Sequence, residues 1–306
     1  MRTRWGISFL MVFLLVMFFA MPVWGAEPVS LDTVLKNTVS YYVYNHNTLE
    51  NWEEVVGLSR AGENVRKDPW QLDLWKVGSL NESSSSGKYA TYIISMAAAG
   101  VDPADYQGRN LVQELQARQT NEGDFGGWLT DSIWSVVALD EAKANYDAAR
   151  AVDFLLSKQT GDGGFALSGS AADPDITGFA LIALARHRDV AGVDTAIEKS
   201  IACLQGLQNE NGGFGSDENS ASISAVIRGL MACGEDVASS AWVKNNHTMI
   251  DALVNYQLAD YSFCWKLDSP AANDLSTRQA LVALADLAAS GYGSYMVNAG
   301  GESGGG

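Results

Sequence analysis

Apolar residues recur at spacings of three and four along most of the chain. Ile197, Ile201 and Leu204 share a face with Gln208, and Leu253 and Val254 precede Gln257 in the same manner. That spacing is the mark of a helix with one buried side. A second kind of segment is apolar on most faces: residues 135–139, 177–184, 223–227 and 277–284. A helix of this kind has to be enclosed by protein. The two kinds alternate through the second half, which predicts an outer layer of one-sided helices around an inner layer of enclosed ones. Upstream, residues 31–44, 52–61, 89–99 and 108–119 also read as helices, the last two separated by Gly100 and Pro103. Nothing between them alternates with period two, so eleven or twelve helices and no substantial sheet are expected.

The alternation is tied to a repeat. Gln159 to Phe165 and Gln208 to Phe214 share the order Q-x-x-x-G-G-F, forty-nine residues apart. Gln119 to Phe125 keeps Q-x-x-x-G-x-F, and Gln257 to Phe263 keeps the glutamine and the phenylalanine. Repetition at a period of about 20 to 50 residues decides a fold more firmly than local propensity does. The glycines supply a chain reversal that side chains would obstruct. The phenylalanine can plug between layers, and the glutamine amide has donors and an acceptor for backbone groups at the turn. Each unit is one outer and one inner helix, and the expected architecture is all-α, in two helix layers.

The first residues stand outside this grammar. Arg2 and Arg4 precede an uncharged apolar run from Ile7 to Met21, followed by Pro22, Gly25 and Ala26, the layout of a secretory signal peptide. The run is shorter than the roughly 20 residues of a membrane-spanning helix. The expected division is a signal peptide over 1–25, one barrel over 26–295 and a glycine-rich tail over 296–306. The expected destination is the exterior or cell surface, with no stable membrane span after cleavage. The chain has 36 acidic and 20 basic side chains. The signal removes two arginines and no acid, leaving a charge of -18. Such acidity repels phosphate backbones, so nucleic acid is excluded as a partner. An exported protein can form disulfides, but Cys203 and Cys233 lie in apolar helical stretches, and free thiols are expected for these two and Cys264.

Outer and inner helices joined by Q-x-x-x-G-G-F turns resemble the α/α-toroid of squalene and terpene cyclases, protein prenyltransferase β subunits, complement thioester domains and cobalamin carriers. The resemblance spans roughly residues 31 to 290 and is nearest to exported bacterial toroid domains, in phrases such as those running from Trp52 to Gly62 and from Ile133 to Asp140. It implies an (α/α)6-type toroid barrel; activity has to be argued from the site. Zinc prenyltransferases need Asp, Cys and a later His, and this chain has no histidine after Cys264. Thioester domains need Cys-Gly-Glu-Gln, and here Asp236 follows Cys233, Gly234 and Glu235. Cyclases of the D-x-D-D-T kind keep one carboxylic acid protonated among others. Asp173, Asp175 and Thr177 match that pattern, with Ile176 in place of the adjacent aspartate. The resemblance therefore implies Asp175 as the proton donor, with Asp173 beside it, if the chain is a cyclase.

Aligned on a Ser/Thr-x-x-Ala phrase, Asp131, Asp173, Glu218 and Asn273 fall just before the inner helices. Capping of free backbone N–H groups is their default role. In a toroid these helix starts converge on one mouth, where Asp131, Asp173, Asp175 and Glu218, with Trp128 and Trp265, would form an acidic, partly aromatic rim for a ligand. Trp70 and Trp75 sit in a segment that follows no repeat phrase and are expected to plug one end. Three functions follow in order: an exported, non-catalytic domain binding a small or hydrophobic ligand, with cobalamin the most definite candidate; a cyclase using Asp175; and a structural module of a surface assembly. No cofactor is required, and calcium on the aspartate-rich loops is a minor expectation.

Overall fold

In the computed structural model, residues 28–297 are described. The expected signal peptide, and residues 298–306 of the expected tail, lie outside the described residues. Eleven α-helices form the framework: α1 (Leu31–Asn45), α2 (Trp52–Arg60), α3 (Ser86–Ala98), α4 (Leu111–Gln116), α5 (Leu129–Glu141), α6 (Ala148–Leu156), α7 (Pro174–Leu184), α8 (Val193–Leu207), α9 (Ser220–Ala232), α10 (Met249–Val254) and α11 (Asp274–Leu287). Six of them close a ring, each packing on the next in the order α2, α3, α5, α7, α9, α11 and back to α2. The other five, α1, α4, α6, α8 and α10, pack outside it. No helix among the described residues is long and apolar enough to cross a membrane.

The inner helices are the ones whose sequence is apolar on most faces. In α7, every residue from Ile176 to Leu184 except Phe179 is buried. α7 and α9 approach so closely that a Cβ on Gly178 would stand 2.4 Å from the Ala225 carbonyl, and one on Gly229 2.4 Å from the Gly178 carbonyl. Larger residues there would push the two helices apart.

The repeated turns hold the layers together. Phe125, Phe165, Phe214 and Phe263 are all buried. Each repeat glutamine bonds forward to the next outer element. Gln119 Nε2 donates to the Asp147 carbonyl (2.8 Å), Gln159 Nε2 to Ala196 (2.8 Å), and Gln208 Nε2 to Trp242 (2.9 Å). Gln257 Nε2 donates to Thr38 Oγ1 of α1 (3.0 Å), so the last repeat closes the ring on the first helix. Gly212 shows why the turn needs glycine. Its φ is +89°, and a Cβ would lie 2.4 Å from the Thr248 carbonyl. In the fourth turn Tyr261 takes the left-handed position instead, at φ +73°.

The sixth outer place, between α2 and α3, holds no α-helix. Residues 61–85 fill it irregularly, through a cis Asp68–Pro69 bond. Trp75 Nε1 donates to Ser95 Oγ of α3 (2.9 Å), and Trp70 is buried with Nε1 donating to Glu63 (3.3 Å). The segment expected to plug an end is anchored on α3 through Trp75. Among the described residues, strands are confined to three two-stranded pieces: β1 (Val29–Ser30) with β6 (Met296–Val297), β2 (Thr48–Leu49) with β3 (Gln71–Leu72), and β4 (Cys264–Lys266) with β5 (Ser269–Ala272). The first brings residues 29 and 297 side by side.

Candidate functional site

The starts of the inner helices gather the residues that the sequence singled out, but they do not form one rim. Asp173 caps α7, its Oδ1 accepting from the Asp175 amide (2.9 Å) and the Ile176 amide (3.4 Å). Asp131 lies within the first turn of α5, where it accepts from the Trp128 amide (2.8 Å) and, across helices, from the Gly87 amide (2.9 Å). Glu218 caps nothing: it accepts from Asn209, Asn211 and the Tyr256 hydroxyl, and the cap of α9 is Asn219. The shared Ser/Thr-x-x-Ala alignment therefore slips by three residues at Asp131 and by one at Glu218. Asn273 caps α11 as expected. Trp128 is 69% exposed.

Asp173, Asp175 and Trp265 do meet. They line a groove of about 660 Å³ between the α7 and α9 starts, together with Leu207, Phe214 and Ser222. Asp175 has one carboxylate oxygen buried without a hydrogen-bond partner. Burial is the main reason its carboxyl is pushed up to about 6, with the nearby Asp173 charge adding and the Ser222 hydroxyl opposing. It is a poised acid, but a lone one.

The lumen of the ring opens at the other end. Near the ends of the inner helices lies a cavity of about 410 Å³ with contributions from all six: Trp52 and Arg60 of α2, Ile94 of α3, Trp134 and Glu141 of α5, Ile182 of α7, Arg228 and Met231 of α9, and Asp286 of α11. Arg186 joins them just past the end of α7. Trp134 stands between Trp52 (ring centroids 4.9 Å apart) and Phe179 (5.1 Å). Arg228 is 7% exposed, with its guanidinium 5.9 Å from the Trp134 ring centroid. Two carboxylates serve three arginines. Asp286 binds Arg60 (2.6 Å) and Arg228 (3.3 Å), while Glu141 binds Arg186 (3.0 Å) and approaches Arg60 (3.9 Å).

Sequence reasoning missed this cavity. The signal was available in the 3–4 spacing of Ile182 and Arg186, and of Trp134, Val137 and Glu141, which puts each set on one helix face. Without a ring, that face has no meaning. Among the described residues no group of three His, Cys, Asp or Glu side chains is placed to hold a metal ion.

A closed ring of six inner helices, wrapped by outer ones and joined by these turns, is the α/α-toroid of the terpenoid cyclase kind. The type II terpene cyclase MstE from Scytonema, in its apo form, superposes with a TM-score of 0.58 at 13% identity, over 85% of this chain and 98% of that one. A variant of that enzyme solved with geranylgeranyl dihydroxybenzoate as substrate gives 0.58 and 13%, over 85% and 97%. A crystal structure of a protein from Actinoplanes gives 0.56 and 13%, over 85% and 99%. At such identities the likeness is one of fold. No protein-family profile matches the chain, and no curated protein matches it in sequence.

Proposed function

We propose that the chain is an exported, non-catalytic binding domain that holds a small, partly apolar ligand in the lumen of its ring. One observation carries the reading: the 410 Å³ cavity reached by all six inner helices, with tryptophan and aliphatic walls and a few charged groups. That volume and lining are typical of small-molecule sites, which run to roughly 300–1,000 Å³. A corrinoid with its nucleotide loop needs more room, so the reading favours a smaller molecule. The absence of catalysis is supported by the placement of charges. Glu141 and Asp286 are both ion-paired with arginine, and Asp175 lines the separate groove at the helix starts. The test is a titration with farnesol followed by tryptophan fluorescence, alongside native mass spectrometry of protein taken from the exporting cell. Saturable quenching that weakens in Ala232→Trp, which sets a bulky side chain at the cavity's exposed edge, is the expected result. No quenching and no bound mass would sink the reading.

A second reading is favoured by Asp175 itself. A buried carboxyl held near 6 in a groove with Trp265 and Phe214, within a fold shared with cyclases, supports proton donation to a polyprenyl substrate. The single barrel is no obstacle, since the chain covers nearly the full length of MstE. Cyclised product from a polyprenyl series, lost in Asp175→Asn, is the expected sign; an inert wild-type protein rules it out.

A further inference from the structure

The lumen is lined by charged groups of both signs. Three guanidinium groups, Arg60, Arg186 and Arg228, line it with two carboxylates, Glu141 and Asp286. Arg228 is the deepest: its Nε donates to Asp286 (3.3 Å), the Glu53 carboxylate adds to the negative charge around it, and its guanidinium lies 5.9 Å from the Trp134 ring centroid, while no hydrogen bond joins its terminal Nη1 and Nη2 groups to a described residue. A buried guanidinium with its planar fork unfilled is a receptor for a planar anion, because two parallel N–H donors match two carboxylate oxygens. The neighbouring helix adds Arg186, engaged with Glu141 through one Nη alone. Beside these donors are Trp134, Ile182 and Met231, which suit an apolar or aromatic body.

We infer that the lumen ligand is a monoanion, a carboxylate on an apolar or aromatic body, whose head lies on Arg228 and Arg186 and whose body lies against Trp134. The inference rests on the lumen-binding reading above and adds the charge of the ligand to it. The bland account is that the arginines only neutralise Glu141 and Asp286. It predicts no preference among ligands of one shape.

The test uses the full exported chain and isosteric probes: 2-naphthoate, 2-naphthamide and 2-naphthylmethylamine, titrated by calorimetry at pH 7. The expected result is that the acid binds at least about tenfold more tightly than the amide, and the amine more weakly than either. In Arg186→Gln, at a partly exposed position, the acid's advantage over the amide should fall severalfold. Equal binding of acid and amide to the wild-type protein, or preference for the amine, overturns the inference and leaves lumen binding standing. If none of the three binds, the inference falls; if farnesol also fails to quench, the lumen reading falls with it. The comparison among probes on unaltered protein does not depend on any variant folding.

Discussion

Replacing Asp175 by asparagine separates a buried acid from a mere helix-start residue. The native carboxyl is pushed from an ordinary 3.8 up to about 6, chiefly by burial. The native state therefore holds its proton more tightly than the unfolded chain does. Between those two values the folded protein is the more protonated, so stability falls as pH rises through the window and is constant beyond it. Below about 4 the penalty is absent; above about 6 it is complete. A shift of that size amounts to about 3 kcal/mol, an upper figure because the groove admits some water. Asparagine keeps the shape of the neutral acid and cannot ionise. Urea unfolding of both proteins at pH 4, 5, 6 and 7 gives the difference directly, and titrations elsewhere in the chain cancel in it. The variant should gain on the wild type by up to about 3 kcal/mol from pH 4 to pH 7. A difference that stays flat with pH, or that favours the wild type at pH 7, refutes the burial of an unpaired carboxylate.

Other predictions concern the frame. Gly212→Ala forces a side chain into a left-handed backbone and against the Thr248 carbonyl, and should cost about 2 kcal/mol or more by urea denaturation. Gln257→Ala removes the bond to Thr38 that closes the ring, and should cost about 1–2 kcal/mol. Hydrogen exchange should quicken most in α1. Burial raises all three thiols, Cys233 up to about 11, and none is in a disulfide. A disulfide-exchange reagent at pH 8 should label them slowly in the native protein and all at once after denaturation; the loss of two labels would reveal a disulfide.

The fold was legible because the repeat carries its own geometry. A glutamine, a left-handed glycine and a buried phenylalanine at set intervals describe a turn, and the alternation of one-sided and enclosed helices describes two layers. What escaped was the sixth outer place, where residues 61–85 pack Trp70 and Trp75 without helical periodicity. The candidate rim was half legible. Asp173 and Asp175 come together with Trp265 as expected. Asp131 is consumed in holding α3 to α5, and Glu218 in bracing the turn that contains Gly213, a partner set invisible until the chain is folded. The lumen was legible only as separate helix faces, because its charges come from residues 60, 141, 186, 228 and 286, which only ring closure assembles.

The two ends of the ring differ in charge in a way that helix dipoles explain only in part. Helix starts carry partial positive charge and attract acids, as at Asp173 and Asp131; helix ends carry partial negative charge and attract bases. Arg60 at the end of α2 and Arg186 just past the end of α7 conform. Glu141, the last residue of α5, and Asp286, in the last turn of α11, do the reverse. Carboxylates at negative helix ends need cations, and Arg60 and Arg186 lie at hand on the partly exposed side of the cavity. Three arginines stand there against Glu141, Asp286 and the buried Glu53. Arg228 is the third, drawn inward to the Trp134 face and buried at the cost of its own hydration. Neutralising Asp286 does not require it, since Arg60 is closer to that carboxylate at 2.6 Å than Arg228 is at 3.3 Å. What helix capping and these acids leave unanswered is the terminal Nη1 and Nη2 pair, which a ligand's carboxylate would fill.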